Sequence, residues 1–208
     1  EELEILVHER TTELQHADQI LKTAAFAAAL FLKEPDLPRS IPRVVKQLGG
    51  VTEASRVYLF ENQQGDDGDL LTTQRYEWVS EGISAEIDNP MFQNMSYEAA
   101  GFGRWVKTLE KGYSVNALVE SLVGRERELL EFQRIKAIII IPVFLGNVWW
   151  GFIGFDDCEK KRLWSVSEKE GLRTVADVMG AALWRNRMGQ ALLESETNFK
   201  ALAENATD

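Results

Sequence analysis

Cysteine and histidine are scarce in this sequence. One cysteine, Cys158, stands among 208 residues, which excludes an internal disulfide framework and any cysteine-based zinc cluster. The two histidines, His8 and His16, both lie near the start of the chain and leave little scope for histidine-dependent chemistry. Positive charge is also short: 23 Lys plus Arg face 33 Asp plus Glu, a formal net charge of −10. That balance argues against a nucleic-acid interface, which needs a basic stripe, and against a polybasic membrane-surface module. No apolar run reaches the ~18–20 residues needed to span a bilayer; the stretches 24–32 and 137–145 are too short. No charged, apolar and small-residue sequence of a secretory signal opens the chain. The chain starts without Met and stops in mid-pattern, so it reads as a piece of a longer protein, most simply a cytoplasmic one.

What is present is an ordinary apolar fraction, 45%, and a length suited to one domain with appendages. Residues 1–32 read as one helix. Leu3, Val7, Arg10, Leu14, Ala17, Leu21, Ala24, Ala28 and Phe31 recur at alternating spacings of four and three, a heptad seam of about four repeats. A seam this long reads as an oligomer contact. Ser40 is placed to cap a helix over 41–48, with Pro42 in its first turn and Gly49-Gly50 as its end. Strands are expected over 55–61 and 70–80, joined by the Gly- and Asp-rich loop 62–69. Residues 81–103 form a long mixed loop, which in a compact domain is functional or mobile. A helix over 104–111, a strand over 113–117 and a charged helix over 125–133 follow. Strands 137–145 and 148–156 form a hairpin about Gly146-Asn147. Ser167 and Glu170 form the capping box of a last helix, with Leu172, Val175, Met179 and Ala182 as its apolar stripe, running on to about residue 195. Gly180 and Gly189 each weaken that helix by ~1 kcal/mol. The order predicts an α+β fold: a central antiparallel sheet flanked by helices, with a long helix entering and another leaving.

The stretch Ile138-Ile-Ile-Ile-Pro-Val-Phe-Leu-Gly-Asn-Val-Trp-Trp-Gly-Phe-Ile-Gly-Phe-Asp-Asp-Cys158 resembles the last hairpin of a GAF domain. Arg162-Leu-Trp-Ser-Val-Ser-Glu168 and the helix after it fit the same family. The middle, 81–135, matches only in element order. Val7-His-Glu-Arg-Thr-Thr-Glu-Leu14 resembles the signalling helix that precedes sensory modules in bacterial and archaeal receptors. Glu194-Ser-Glu-Thr-Asn-Phe-Lys-Ala-Leu-Ala-Glu-Asn-Ala-Thr-Asp208 resembles the opening of a PAS domain. The resemblances imply a signalling helix at 1–32, a GAF domain at 33–190, and a linker helix with the start of a PAS domain at 191–208. They imply a sensor histidine kinase as parent, or a cyclic-di-GMP enzyme.

Catalytic residues are not expected in this piece. His8-Glu9 lacks the following Pro of a phosphoacceptor helix and the second His of a zinc helix, and no nucleotide-binding Gly box appears. No cofactor or metal is expected either. The Asn-Lys-Phe-Asp-Glu set of cyclic-nucleotide GAF domains cannot be placed. Cys158 sits away from the position expected for bilin attachment, and haem would need an axial ligand that the two N-terminal histidines do not supply. Cys158 reads as an inert thiol or a redox sensor. The loop Asp66-Asp67-Gly68-Asp69 reads as a solvated tip without the spacing of a calcium loop. Tyr76, Trp78, Phe92, Phe102, Trp105 and Tyr113 are the candidate ligand-binding residues, clustered in the variable half where family ligands sit, although the same rings could simply fill the core. On the last hairpin, strand alternation places Trp150 and Phe152 on one face and Trp149 on the other. The expected function is a sensory module that homodimerises through its terminal helices, with a possible small-molecule ligand, and passes a signal to downstream PAS and kinase domains. A ligand-free dimerisation spacer is the alternative. Neither nucleic acid nor direct membrane contact is expected.

Overall fold

The computed structural model describes residues 2–205. Two helices, α1 (Glu2–Lys33) and α2 (Leu37–Thr52), lead into a hairpin, β1 (Arg56–Gln64) and β2 (Leu70–Val79). The segment 80–102 holds a 3-10 turn at Pro90–Phe92 and a two-residue strand, β3 (Met95–Ser96). Then come α3 (Gly103–Leu109), β4 (Val115–Leu118), α4 (Gly124–Phe132), β5 (Ala137–Leu145), β6 (Val148–Asp157) and α5 (Val166–Asn205). The six strands form one antiparallel sheet in the order β3-β2-β1-β6-β5-β4. The expected α+β architecture is present.

Both faces of the sheet are covered. Val57, Leu59, Ile139, Ile141, Ile153 and Phe155 turn to α1, α2 and α5. Tyr58, Phe60, Ile138, Ile140 and Phe152 turn the other way, under α3, α4 and the segment 80–102. A sheet buried on both faces needs continuous apolar strands, which is why 137–145 reads as an unbroken run.

Two bulges decide which side chains reach which face. On β2, Leu59 of β1 pairs with Tyr76 while Phe60 pairs with Gln74, so Arg75 is an extra residue. On β6, Val143 of β5 pairs with Gly151 while Phe144 pairs with Trp149, so Trp150 is the extra residue. Each insertion shifts the alternation by one and turns the following side chains to the opposite face. Trp150 therefore packs in the helix-side core and Phe152 on the far face, opposite to the placement on one face that unbroken alternation gives.

The helices differ from the sequence reading in their ends. The second helix begins at Leu37 with Asp36 at its N-cap, not at Ser40. Ser40 lies inside it, buried, and its hydroxyl donates to the Glu34 carbonyl at 2.9 Å. Gly49-Gly50 does not end this helix, which closes at Glu53 with φ 51°. Gly49 is instead the spot where the Trp78 ring lies against the helix backbone, leaving no room for a Cβ. The capping box of α5 lies two residues earlier than expected. Glu168 N–H donates to Ser165 Oγ at 3.2 Å and Ser165 N–H to Glu168 Oε2 at 2.8 Å. The apolar stripe Leu172, Val175, Met179 and Ala182 is buried as expected. Beyond it α5 runs unbroken to Asn205, so residues 191–205 of the expected linker and PAS opening are helix, and 206–208 lie outside the described residues.

The long helices run side by side in the same direction. Ile20 of α1 lies against Gly171 of α5, and further along Arg185 donates to the Phe31 carbonyl. Ala17, Ile20, Ala24, Ala27, Leu30 and Phe31 are buried by this packing and by α2. Leu3, Val7, Leu14 and Leu21 of the expected heptad seam stay exposed. The seam thus divides: its first half faces away from the chain's own core and most of its second half is consumed by it.

Candidate functional site

On the sheet face away from the long helices a cavity of about 40 Å³ lies between β1, β2, β6, the segment 80–102, α3 and α4. Its walls are aromatic. Phe60 and Phe152 stack at 4.9 Å between ring centres with an interplanar angle of 10°. Tyr58, Phe92 and Trp105 meet these two rings edge-on. Phe102 completes the wall beside Trp105. Such edge-to-face contacts suit the ring quadrupole and fix each ring in place. The space left holds a few water-sized groups, far below the 300–1,000 Å³ of sites for larger organic ligands.

One end of the cavity is polar. Arg56, at the start of β1, is 4% exposed and spreads its guanidinium across the mouth. Its Nε donates to the Ser84 carbonyl at 3.2 Å, Nη1 to Gln133 Oε1 at 3.3 Å and Nη2 to the Gln133 carbonyl at 3.5 Å. Arg56 Nη1 also lies 3.5 Å from Asp156 Oδ2, on the facing strand. The Tyr58 hydroxyl donates to Asp156 Oδ1 at 2.6 Å. Glu77 Oε2 accepts the backbone N–H groups of Glu86 and Ile87 at 2.8 and 2.9 Å, which ties the segment 80–89 over the mouth. Glu77 Oε1 is buried and has no hydrogen-bond partner.

Burial governs the titration of this cluster. Loss of hydration pushes the Asp156 carboxyl up to about 7, against the opposing pull of the Tyr58 hydroxyl and Arg56. The same cause raises Glu77, opposed by the two backbone donors and then more weakly by the Gln74 side chain and Arg56. Tyr58 is raised by burial and then by the charge of Asp156.

The structure brings three of the six candidate rings to this site: Phe92, Phe102 and Trp105. Tyr76 and Trp78 stand on the opposite face, packed into the helix-side core, because the Arg75 bulge turns them there. Tyr113 sits in the turn between α3 and β4 and is 67% exposed. Trp105 is held by a buried carboxylate, Glu126, which accepts its indole N–H at 2.7 Å and takes two bonds from Arg104 at 2.6 and 2.5 Å. Sequence reasoning missed the polar residues Arg56, Gln74, Glu77 and Asp156. The available signal was Arg56 and Asp156 themselves, each charged and next to an apolar strand run that must be buried on both faces.

Cys158 lies just past β6, half-buried, with its backbone N–H bonded to Ser55 Oγ at 2.9 Å. Burial raises its thiol, and nearby Arg56 only partly offsets that; this is the opposite of what a reactive thiolate needs. Among the described residues there is no group of three or more His, Cys, Asp or Glu side chains able to hold a metal ion. Among them, too, no helix is long and apolar enough to cross a membrane.

The family model described as "GAF domain" matches residues 36–183. The methanogenesis regulatory histidine kinase FilI of Methanothrix harundinacea (strain 6Ac) is 35% identical over 190 residues, 91% of this chain and 21% of that protein. The chain thus spans about a fifth of that relative's length. Among solved structures, the phycoerythrobilin-bound GAF domain of a cyanobacterial phytochrome superposes with a TM-score of 0.65 at 13% identity, covering 85% of this chain and 98% of that one. The PixJ GAF domain of Thermosynechococcus elongatus, in its blue-light absorbing form, gives 0.60 at 14% identity, covering 83% and 94%. At such identities the structural likeness speaks for the fold alone. With the family match spanning most of the chain and the sheet, helices and cavity in place, the chain belongs to the GAF domain family.

Proposed function

We propose that the chain is the ligand-sensing module of a longer signalling protein, a regulatory histidine kinase like its archaeal relative, and that it carries no catalysis of its own. Occupancy of the cavity would bias the packing of α1 and α5, and a homodimer through those helices would carry the change to downstream PAS and kinase domains. One observation carries this reading: the cavity and the root of α5 meet at a single peptide bond. Asp156 faces the cavity, and Asp157 faces the other side of β6. Asp157 Oδ1 accepts the backbone N–H groups of Glu159 and Lys160 at 3.0 and 2.7 Å, and Oδ2 accepts Arg162 Nε at 3.0 Å. Arg162 also donates to the Thr52 carbonyl at the end of α2 and lies over the Trp164 ring, 4.7 Å from its centre. Trp164 directly precedes the capping box of α5. A displacement of β6 by a ligand would therefore move the segment that seats α5. Such coupling requires a ligand that binds the two packings with different affinity.

Native mass spectrometry of the purified chain, beside its denatured mass, tests the proposal. Released mass together with a dimer is the expected result. A second reading, a ligand-free dimerisation spacer, draws on the smallness of the cavity and on its being filled by the chain's own rings. A dimer with no released mass, and with no small molecule shifting the signals of cavity residues, would establish that reading instead.

A further inference from the structure

The chemistry of the ligand follows from what the cavity leaves unpaired, taking the cavity as a ligand site. Its polar end carries three carboxyl side chains, Glu77, Glu86 and Asp156, against one guanidinium. Arg56 is committed to Ser84, Gln133 and Asp156. Asp156 Oδ1 is taken by the Tyr58 hydroxyl, and Glu86 Oε2 by Asn89 Nδ2 at 2.7 Å. Glu77 Oε2 has two backbone donors and the Gln74 side chain lies beside the carboxyl, while Glu77 Oε1 is closed off from water with no donor in hydrogen-bond geometry. A buried acceptor with no donor is the exception among polar groups in folded proteins, and here the missing partner is a donor. The excess of carboxylates disfavours an anion. The neighbouring walls are aromatic rings, which suit the apolar end of a small organic ligand. The volume, about 40 Å³, admits a ligand of only a few non-hydrogen atoms.

We propose that the cavity binds a small protonated amine, its ammonium N–H donating to Glu77 Oε1 and its carbon end lying against Phe60, Trp105 and Phe152. The ammonium supplies the donor that Glu77 lacks and balances the carboxylates. Protonation of Glu77 and Asp156 opposes binding, because it removes the charge the cation needs. The charged and titratable groups around the site are Arg56 and Tyr58 on β1, Glu77 on β2, Glu86 in the covering segment and Asp156 on β6. Of these, Glu77 and Asp156 are the carboxyls that burial raises, so affinity falls as pH drops from 8 to 5.5.

The test is a two-dimensional amide NMR titration of the whole chain with methylammonium chloride, sodium chloride serving as the ionic-strength control. An ion this small binds in the millimolar range at best, within reach of the method. Saturating shifts are expected at the Glu86 and Ile87 amides and at the Trp105 indole N–H. They should weaken at least tenfold at pH 5.5 and be lost in Glu77→Gln, with the rest of the spectrum unchanged. Tetramethylammonium, which has no N–H, should shift them at least tenfold less. If sodium acetate or inorganic phosphate moves these signals and methylammonium does not, the amine proposal is overturned while the cavity remains a ligand site. If no probe moves them and no mass is released from the native chain, both fall. Should Glu77→Gln fail to fold, the pH dependence in the unaltered chain decides: equal affinity at pH 8 and 5.5 overturns the proposal.

Discussion

Asp156 and Asp157 share one peptide bond and opposite surroundings. Asp157 is surrounded by donors on the helix side, whereas Asp156 is sealed beside Tyr58 and Arg56. The Asp156 carboxyl is raised from 3.8 to about 7. Between those values the folded chain binds more protons than the unfolded one, so stability is full below about 4 and declines as pH rises through about 7. One such group gives a slope of at most ~1.4 kcal/mol per pH unit, and Glu77 adds to it with the same sign. Asp156→Asn should flatten that slope in urea unfolding followed from pH 4 to 8. The slope is the diagnostic, because Asn also leaves Arg56 short of a charged partner. An unchanged slope would mean that Asp156 is ionised throughout. On the other side of the cavity Glu126 accepts two Arg104 bonds and the Trp105 indole. Glu126→Ala orphans that indole and should lower stability by about 2–3 kcal/mol in the same assay. None of this was visible in composition: Glu126 lies in a run of charges, Arg125-Glu-Arg-Glu128, that looks like a solvated helix face. Only the return of α3 to meet it makes it a buried acceptor.

At the scale of elements, the helices and hairpins were legible because periodicity and turn residues are local. The last hairpin is the clearest case: a β-rich apolar run, then Gly146-Asn147, then a second run, with its first strand bounded as expected at Ala137–Leu145. The faces were less legible, because two single-residue bulges each reverse the alternation beyond them. Without the Arg75 bulge, Tyr76 and Trp78 would share the cavity face with Gln74; with it, Glu77 takes that face and supplies the unpaired oxygen. The cavity's polar end is thus partly the product of an insertion that period-two reasoning cannot see. Helix glycines carry the same lesson. Sequence reasoning treats Gly180 and Gly189 alike. In the fold, a Cβ at Gly180 would run into the Phe144 carbonyl, where α5 crosses β5, while Gly189 faces open space. Gly189→Ala should therefore raise the thermal midpoint, by up to ~1 kcal/mol in stability. Gly180→Ala should lower it, since the obstructing atom is backbone and can yield only by lifting the helix from the sheet. Equal effects of the two substitutions would contradict this packing.

The whole molecule is organised by two parallel helices that leave it at opposite ends. Among the residues whose burial is described, α1 is first buried at Ala17, and α5 is exposed from Trp184 to Lys200 apart from the half-buried Asn186. On the entering side Leu3, Val7 and Leu14 stay uncovered, and on the leaving side Met188, Leu192 and Phe199 recur at spacings of four and seven. Both sets suit a parallel seam with a second copy, so a stimulus in either helix would run along one axis through the domain. Leu14→Glu with Leu21→Glu should convert a dimer to monomer in sedimentation velocity. The thermal midpoint should fall only by what losing the dimer removes, because within one copy these side chains are 53% and 48% exposed. Deleting residues 1–20 is the poorer test: it removes Ile20, fully buried beneath Gly171, and so damages the core along with the seam. Cutting before His16 separates the two effects, since Ala17 is the first buried residue of α1 among those described. If the chain keeps the same mass in solution with the paired substitutions as without them, these faces are not its dimer contact. A signal of the proposed kind would then leave through α5 in a single copy.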